Sequence, residues 1–311
     1  MSTLIFNSSF VTMISQTTLE NRNAVVLLLF IPGGVILFII RYLFHNYIFK
    51  PIGTYLGIKE RKNKPPRISE SKCWNDKSLN KLSKLDKFCE SCWLYSFYLF
   101  IWIFGLKVLW YKPWFWNINE SWIDHDNQVI TIDVWWYGGL SLSFYVSLLI
   151  FDIYYVRKKH FIEMFIHHVL CFVLISSSWI FNLSRIGTLL LVTHDINDVF
   201  LEGGKISSYL KLDLLSAIYM GMFCVVWVIT RLGIFPFWIM RNCLKDPSGV
   251  LTEHKIYILF NGCLLVLFGL NIFWTFLIMK FLLKTYRLKK VNKYEIINDE
   301  NSSGMEDFKP E

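Results

Sequence analysis

FIEMFIHHVLCFVLISSSWIF (161–181) and IGTLLLVTHDINDVFL (186–201) are two apolar runs separated by a short connection, and each carries ionisable groups in its middle. The first holds the pair His167-His168; the second holds His194, Asp195 and Asp198. An Asp at the centre of a membrane-spanning helix costs about 2.5–3.5 kcal/mol even on the lenient insertion scale. Such helices persist in a bundle interior or beside a wet cavity, where the polar groups meet each other.

Working outward, the chain of 311 residues is 54% hydrophobic and 18% aromatic, with 13 Trp and 27 Phe, which places it outside ordinary soluble domains. Seven runs approach or exceed the length needed to cross a bilayer: 24–49, 93–110, 134–156, 161–181, 186–201, 214–240 and 256–283. The expected fold is all-α, a polytopic membrane helix bundle of about seven transmembrane helices. The first run is too long for the apolar core of a cleavable signal peptide and is read as a retained span. No internal repeat and no inverted pair of Gly- or Pro-broken helices of the transporter kind is visible.

The net charge of +8 comes from basic residues clustered between the runs, which gives topology and not nucleic-acid binding. The segment 50–86 is rich in Lys and Arg and reads as cytosolic; the loop with Glu120, Asp124, Asp126 and Asp133 reads as non-cytosolic. Arg157-Lys158-Lys159 and the basic stretch from Lys284 to Lys293 return to the cytosol. This sets residues 1–23 in the lumen and the C-terminus in the cytosol, with 291–311 expected to be a disordered acidic tail. The sequon at Asn7 then faces the lumen and is the expected glycosylation site. The Trp110/Trp114/Trp116 and Trp135/Trp136 clusters read as an interfacial aromatic belt. Cys89 and Cys92 form a Cys-x-x-Cys without a second pair, so they read as small side chains on neighbouring helical turns, not as a zinc site.

His167 lies eight residues, ~12 Å, from Lys159; on the returning helix His194 and Asp198 lie ~16 and ~10 Å from Lys205. The short Asn182-Leu183-Ser184 connection makes the two helices antiparallel neighbours, so the two polar sets reach similar depth. Glu163 and His167 share a face; Asp195, Asp198 and Glu202 form an acidic stripe, with His194 and Asp198 also one turn apart. A carboxylate beside an imidazole holds its tautomer and stabilises imidazolium, which suits a general base or an acyl-accepting nucleophile. Two other readings compete. Each histidine could be an interhelical hydrogen bonder, and imidazoles with carboxylates could hold zinc or non-haem iron. Only seven histidines are present, His45, His125 and His254 lie in other segments, and no H-x-x-H-H pattern occurs, so no metal is expected. Arg157-Lys158-Lys159 is either topogenic charge or a landing site for a phosphorylated substrate.

The stretch 157–168 (RKKHFIEMFIHH), SSSWIFN at 176–182, Arg185-Ile-Gly-Thr188, His194-Asp195-x-x-Asp198 and Leu201-Glu202-x-x-Lys205 resembles the signature of ceramide synthases within the TLC-domain family. Flanking pieces resemble them too: KFCESCW at 87–93, KPWFW at 112–116 and TRLGIFPFWI at 230–239. The resemblance covers roughly residues 45–290 and implies one N-terminal span (24–49), a basic linker (50–86) and a six-helix TLC catalytic domain (87–290). The linker carries only the start of the homeobox-like segment found in many animal members, Gly57-Ile-Lys-Glu-Arg-Lys62, and is too short for its three helices.

The resemblance implies acyl transfer from acyl-CoA to the amine of a sphingoid base in the endoplasmic reticulum membrane. It further implies His167, His168, His194, Asp195 and Asp198 as catalytic residues, and Arg157, Lys158, Lys159, Asn182, Arg185 and Glu202 as substrate contacts. Acyl-CoA is a co-substrate and no cofactor is expected; membrane lipids are the surroundings, and a homo- or hetero-dimer is compatible. The rival functions are a lipid or proton-coupled transporter using the same groups as a relay, and a non-catalytic lipid sensor. Chain-length preference, which in the family depends on the last lumenal loop (here about 241–255), is not decoded from these residues.

Overall fold

The computed structural model describes residues 19–58, 83–123, 130–154, 161–245 and 255–305. The Asn7 sequon, the Arg157-Lys158-Lys159 run and most of the 241–255 loop lie outside them. Seven long helices account for most of the described chain, and no strand occurs among the described residues. They are α1 (Leu19–Phe44), α2 (Lys84–Leu109), α3 (Ile132–Tyr154), α4 (Phe161–Ile180), α5 (Ser184–Tyr209), α6 (Asp213–Trp227) and α7 (Lys255–Met305). α1 continues through a π-helical turn, His45–Phe49, into Lys50–Tyr55; α6 continues as a longer π-helical stretch, Val228–Met240, and then Arg241–Lys245.

Among the described residues six segments are long and apolar enough to cross a membrane, and α5 is not one of them. Its 26 residues span ~39 Å at 1.5 Å per residue, so length suffices and composition does not. Packing supplies the reason. α5 lies at the centre of the first of two compact units (Met1–Leu267; the second is Phe268–Glu311), packing chiefly on α2 and α6, and less on α4, α3 and the π-helical stretch. It buries residues all round, including His194, Asp195, Asn197 and Glu202, so protein and not lipid surrounds its polar groups. α4, in contrast, turns Ile162, Met164, Ile166 and Val169 outward and His168, Leu174, Ser178 and Trp179 inward.

The short connection does make α4 and α5 neighbours, and Gly187 lets them close: a Cβ there would stand 2.5 Å from Ser178 Oγ. Ser178 and Thr193, inside the bundle, are satisfied by their own helices: Ser178 Oγ donates to the Ile175 carbonyl (2.8 Å) and Thr193 Oγ1 to that of Leu189 (2.8 Å). α1 packs mainly on α3, where Ser143 Oγ donates across to the Phe30 carbonyl at 2.9 Å.

α2 begins at Lys84 through a capping box, Ser83 with Asp86, so the helix starts inside the segment read as linker. At the other end of the sequence, α7 runs on to Met305, whereas composition suggests an unstructured tail from 291. No Gly or Pro interrupts the chain between Gly269 and Gly304, so nothing local stops the helix earlier.

Candidate active site

His167 and His194 line one cavity, together with Tyr145, Cys171, Leu174, Ile175, Leu190, Leu191 and Arg231. Its volume is ≈ 20 Å³, room for one or two waters or the end of a larger group. α4 brings His167 and Cys171, one turn apart, with the thiol sulfur 3.6 Å from Nε2 of the imidazole. α5 brings His194, packed edge-on against Phe235 at 5.1 Å between ring centres.

The hydrogen bonds define what each ring offers. His194 Nδ1–H donates to the Leu190 carbonyl at 2.8 Å, which leaves a lone pair on Nε2. That Nε2 is buried and has no hydrogen-bond partner in the protein. His168, the next residue after His167, turns a different way on the helix: its Nδ1–H donates to Asp152 Oδ2 at 2.5 Å. The carboxylate fixes the tautomer and leaves Nε2 as the basic nitrogen. The two imidazoles of the pair stand 5.8 Å apart, centre to centre.

Arg231 is 3% exposed and joins the site from the π-helical stretch. Pro236 lies inside that stretch, lacks an N–H and cannot tolerate ordinary α-helical spacing against the preceding turn, which favours the wider winding. Arg231 Nη2 donates to the His194 carbonyl at 3.1 Å and lies 3.8 Å from Asp198 Oδ2. Its guanidinium sits 5.2 Å from the Trp227 ring centre, and its Nε and Nη1 donors are buried without a hydrogen-bond partner. A buried cation with two uncommitted donors beside two imidazoles can receive developing negative charge on an oxygen.

The other carboxylates distribute along α5. Asp195 is buried, Asp198 approaches Arg231, and Glu202 accepts from Lys205 Nζ at 2.6 Å through Oε1. Glu202 Oε2 is buried without a hydrogen-bond partner. Asn197 Nδ2 donates to Thr230 Oγ1 at 2.6 Å, tying α5 to the π-helical stretch just before Arg231.

Two residues named from the sequence lie at the opposite end of α5. Asn182 takes the left-handed conformation (φ 58°) that turns α4 into α5. Arg185 Nη1 donates to the carbonyls of Glu120 (2.8 Å) and Ile123 (3.1 Å), with the guanidinium 5.0 Å from the Trp114 ring centre. These contacts tie α5 to the loop between α2 and α3. Asp152 and Arg231 are not among the site residues that the sequence motifs name. A lone acid near the end of an apolar run is a signal for Asp152; an arginine within one, five residues before a proline, is a signal for Arg231.

The family model for the TLC domain matches residues 87–280. Ceramide synthase 5 of Homo sapiens is 32% identical over 309 residues, covering 89% of this chain and 79% of that protein. Ceramide synthase 3 of Mus musculus is 34% identical, covering 81% and 74% respectively. Ceramide synthase hyl-1 of Caenorhabditis elegans is 34% identical, covering 66% of this chain and 59% of that protein.

Proposed function

The chain belongs to the TLC-domain family, among the ceramide synthases, and on that premise we propose that it transfers a fatty acyl group from acyl-CoA to the primary amine of a sphingoid base. The observation that carries the chemistry is the single cavity shared by His167, His194 and Arg231.

Acyl transfer to an amine has three requirements: a nucleophile at the thioester carbonyl, a donor for the oxyanion, and a base for the ammonium proton. His167 is the nucleophile in this reading. A ring nitrogen attacks the carbonyl carbon, the C–S bond breaks, and CoA leaves as the thiol after taking up the imidazole proton. The free amine then attacks the acyl-imidazole, the C–N bond to His167 breaks, one proton of the amine passes to the departing ring nitrogen and restores the neutral imidazole, and the amide is released.

Arg231 receives the negative charge of both tetrahedral intermediates through its uncommitted Nε and Nη1. His168, held by Asp152, takes the ammonium proton at Nε2, and the carboxylate stabilises the resulting imidazolium. The lone pair on His194 Nε2 accepts an N–H of the incoming amine. Asp195 and Asp198 provide negative charge for the ammonium before it is deprotonated.

A cavity of ≈ 20 Å³ accepts the reacting carbonyl but not an alkyl chain. The chain enters by parting apolar walls such as Leu174, Ile175, Leu190 and Leu191, and each methylene removed from water contributes about 0.8 kcal/mol. Arg157, Lys158 and Lys159 face the cytosol in this reading and meet the phosphates of CoA. The membrane is that of the endoplasmic reticulum, with Asn7 on the lumenal side.

Incubation of the purified protein with acyl-CoA alone, followed by intact-mass analysis, tests the acyl-imidazole. One acyl group per chain is expected on the wild type and none on His167→Ala. An adduct that persists on the variant overturns the assignment of His167.

A further inference from the structure

Cys171 follows His167 by four residues on α4, so the two side chains share one face of the helix. The thiol sulfur lies 3.7 Å from Nδ1 and 3.6 Å from Nε2 of the imidazole, so it reaches either ring nitrogen equally. Both residues line the ≈ 20 Å³ cavity, whereas the other described cysteines, Cys89, Cys92, Cys224, Cys243 and Cys263, do not. The same space is built for a polar group. His194 is 6% and Arg231 3% exposed, and both line it. His194 Nε2, Arg231 Nε and Arg231 Nη1 are buried there without a hydrogen-bond partner.

A buried thiol is ordinarily inert, because the thiolate is the nucleophile and apolar walls disfavour it. An acyl-imidazole removes that obstacle. Its leaving group is a ring nitrogen that takes up the thiol proton as it departs, so no thiolate has to stand free in the cavity. An acyl carbon on either nitrogen comes close to the reacting separation, about 3–3.5 Å, from the sulfur. The energy runs the same way: a cysteine thioester is the same kind of bond as the thioester of acyl-CoA, and the acyl-imidazole lies above both.

We propose that Cys171 is an S-acylation site: the fatty acyl group on His167 passes to its thiol and is held there as a thioester. The S–C bond forms, the C–N bond to His167 breaks, and the thiol proton moves to the departing nitrogen. Arg231 receives the charge of the tetrahedral intermediate. The reverse transfer returns the acyl group to the ring, where the amine takes it. A cavity with room for one or two waters protects the thioester from hydrolysis in the meantime. This role of Cys171 rests on the acyl-imidazole reading of His167 and adds a stored acyl group to it.

Full-length protein in detergent is mixed with palmitoyl-, stearoyl- or tetracosanoyl-CoA in separate samples. Native mass spectrometry at neutral pH reports an acyl group on either residue. An acid quench then hydrolyses an acyl-imidazole and spares a thioester, and peptic mapping locates what remains. The expected result is an acid-stable acyl group on Cys171 that neutral hydroxylamine releases, and its loss in both Cys171→Ala and His167→Ala. The wild-type map decides the matter even if Cys171→Ala does not fold. An adduct that acid removes completely leaves His167 as the acyl carrier and overturns the role of Cys171. An acid-stable acyl group on any other cysteine, or on Cys171 of His167→Ala, overturns it too, the latter because the thiol then reacts without the ring. Ceramide formation with no adduct at neutral pH counts against the acyl-imidazole itself, and the thioester falls with it.

Discussion

Arg231 reaches from the π-helical stretch to the main-chain carbonyl of His194, 3.1 Å away on the neighbouring helix. The contact fixes a buried guanidinium against the backbone of the residue whose imidazole shares its cavity. Arg231→Lys keeps the charge and loses the planar fork, so the donors no longer point where an oxyanion forms. N-acylation of sphinganine by reconstituted protein is expected to fall about 10²–10³-fold, the usual loss for one oxyanion donor. Expression and the midpoint of thermal unfolding stay close to wild type. A lysine variant as active as the wild type would remove Arg231 from the reaction.

Asp152 acts through His168 in this reading, so it is a positioning residue. Asp152→Asn preserves shape but removes the negative charge that fixes the tautomer and stabilises imidazolium. The rate at saturating substrate is expected to drop by about 10²–10⁴, with KM for acyl-CoA unchanged. Asp152→Glu restores part of the rate. Steady-state kinetics on the three proteins checks this, and a wild-type rate for the asparagine variant contradicts it.

The spans and the meeting of α4 with α5 are legible in the sequence because apolar run length and a short connection are local properties. α5 is legible for a different reason. Its polar residues disqualify it by hydropathy, yet they are what its central position between α2 and α6 accommodates. Asp152 and Arg231 were hidden because their roles depend on distant partners: Asp152 faces a histidine on the next helix, and Arg231 faces one 37 residues earlier. Arg185 illustrates the converse. It stands within a signature-like stretch, but its donors hold the carbonyls of a loop more than 60 residues away. Residue type announces a polar group; only the packing of the helices decides what that group faces.

Gly187 tests whether close approach of α4 and α5 sets the cavity. A Cβ at this position would meet Ser178 Oγ at 2.5 Å and Ser178 Cβ at 2.8 Å, so Gly187→Ala must push the helices apart. Overpacking of this kind costs about 1–3 kcal/mol. Thermal unfolding is expected to report that loss, with a fall in acyl transfer because Gly187 also lines the cavity. Adding Ser178→Gly removes both clashing atoms, and the pair should show coupling of roughly 0.5–3 kcal/mol. Strict additivity of the two substitutions would mean that the helices do not meet there.

Arg185 separates substrate contact from loop anchoring. Its guanidinium satisfies the carbonyls of Glu120 and Ile123 and stacks near Trp114. Asn242 reinforces the same loop, donating to Asn119 Oδ1 at 3.2 Å and accepting from the Trp122 indole. Arg185→Met keeps the length of the side chain and deletes the charge-assisted hydrogen bonds, each worth about 1.5–3 kcal/mol. The expected result is a lower unfolding midpoint, faster proteolysis within 117–123, and an unaltered KM for acyl-CoA and sphinganine. Kinetics and limited proteolysis of the same preparation check both parts. A raised KM with an unchanged unfolding midpoint would return Arg185 to the substrate, as its place in the signature-like stretch first suggests.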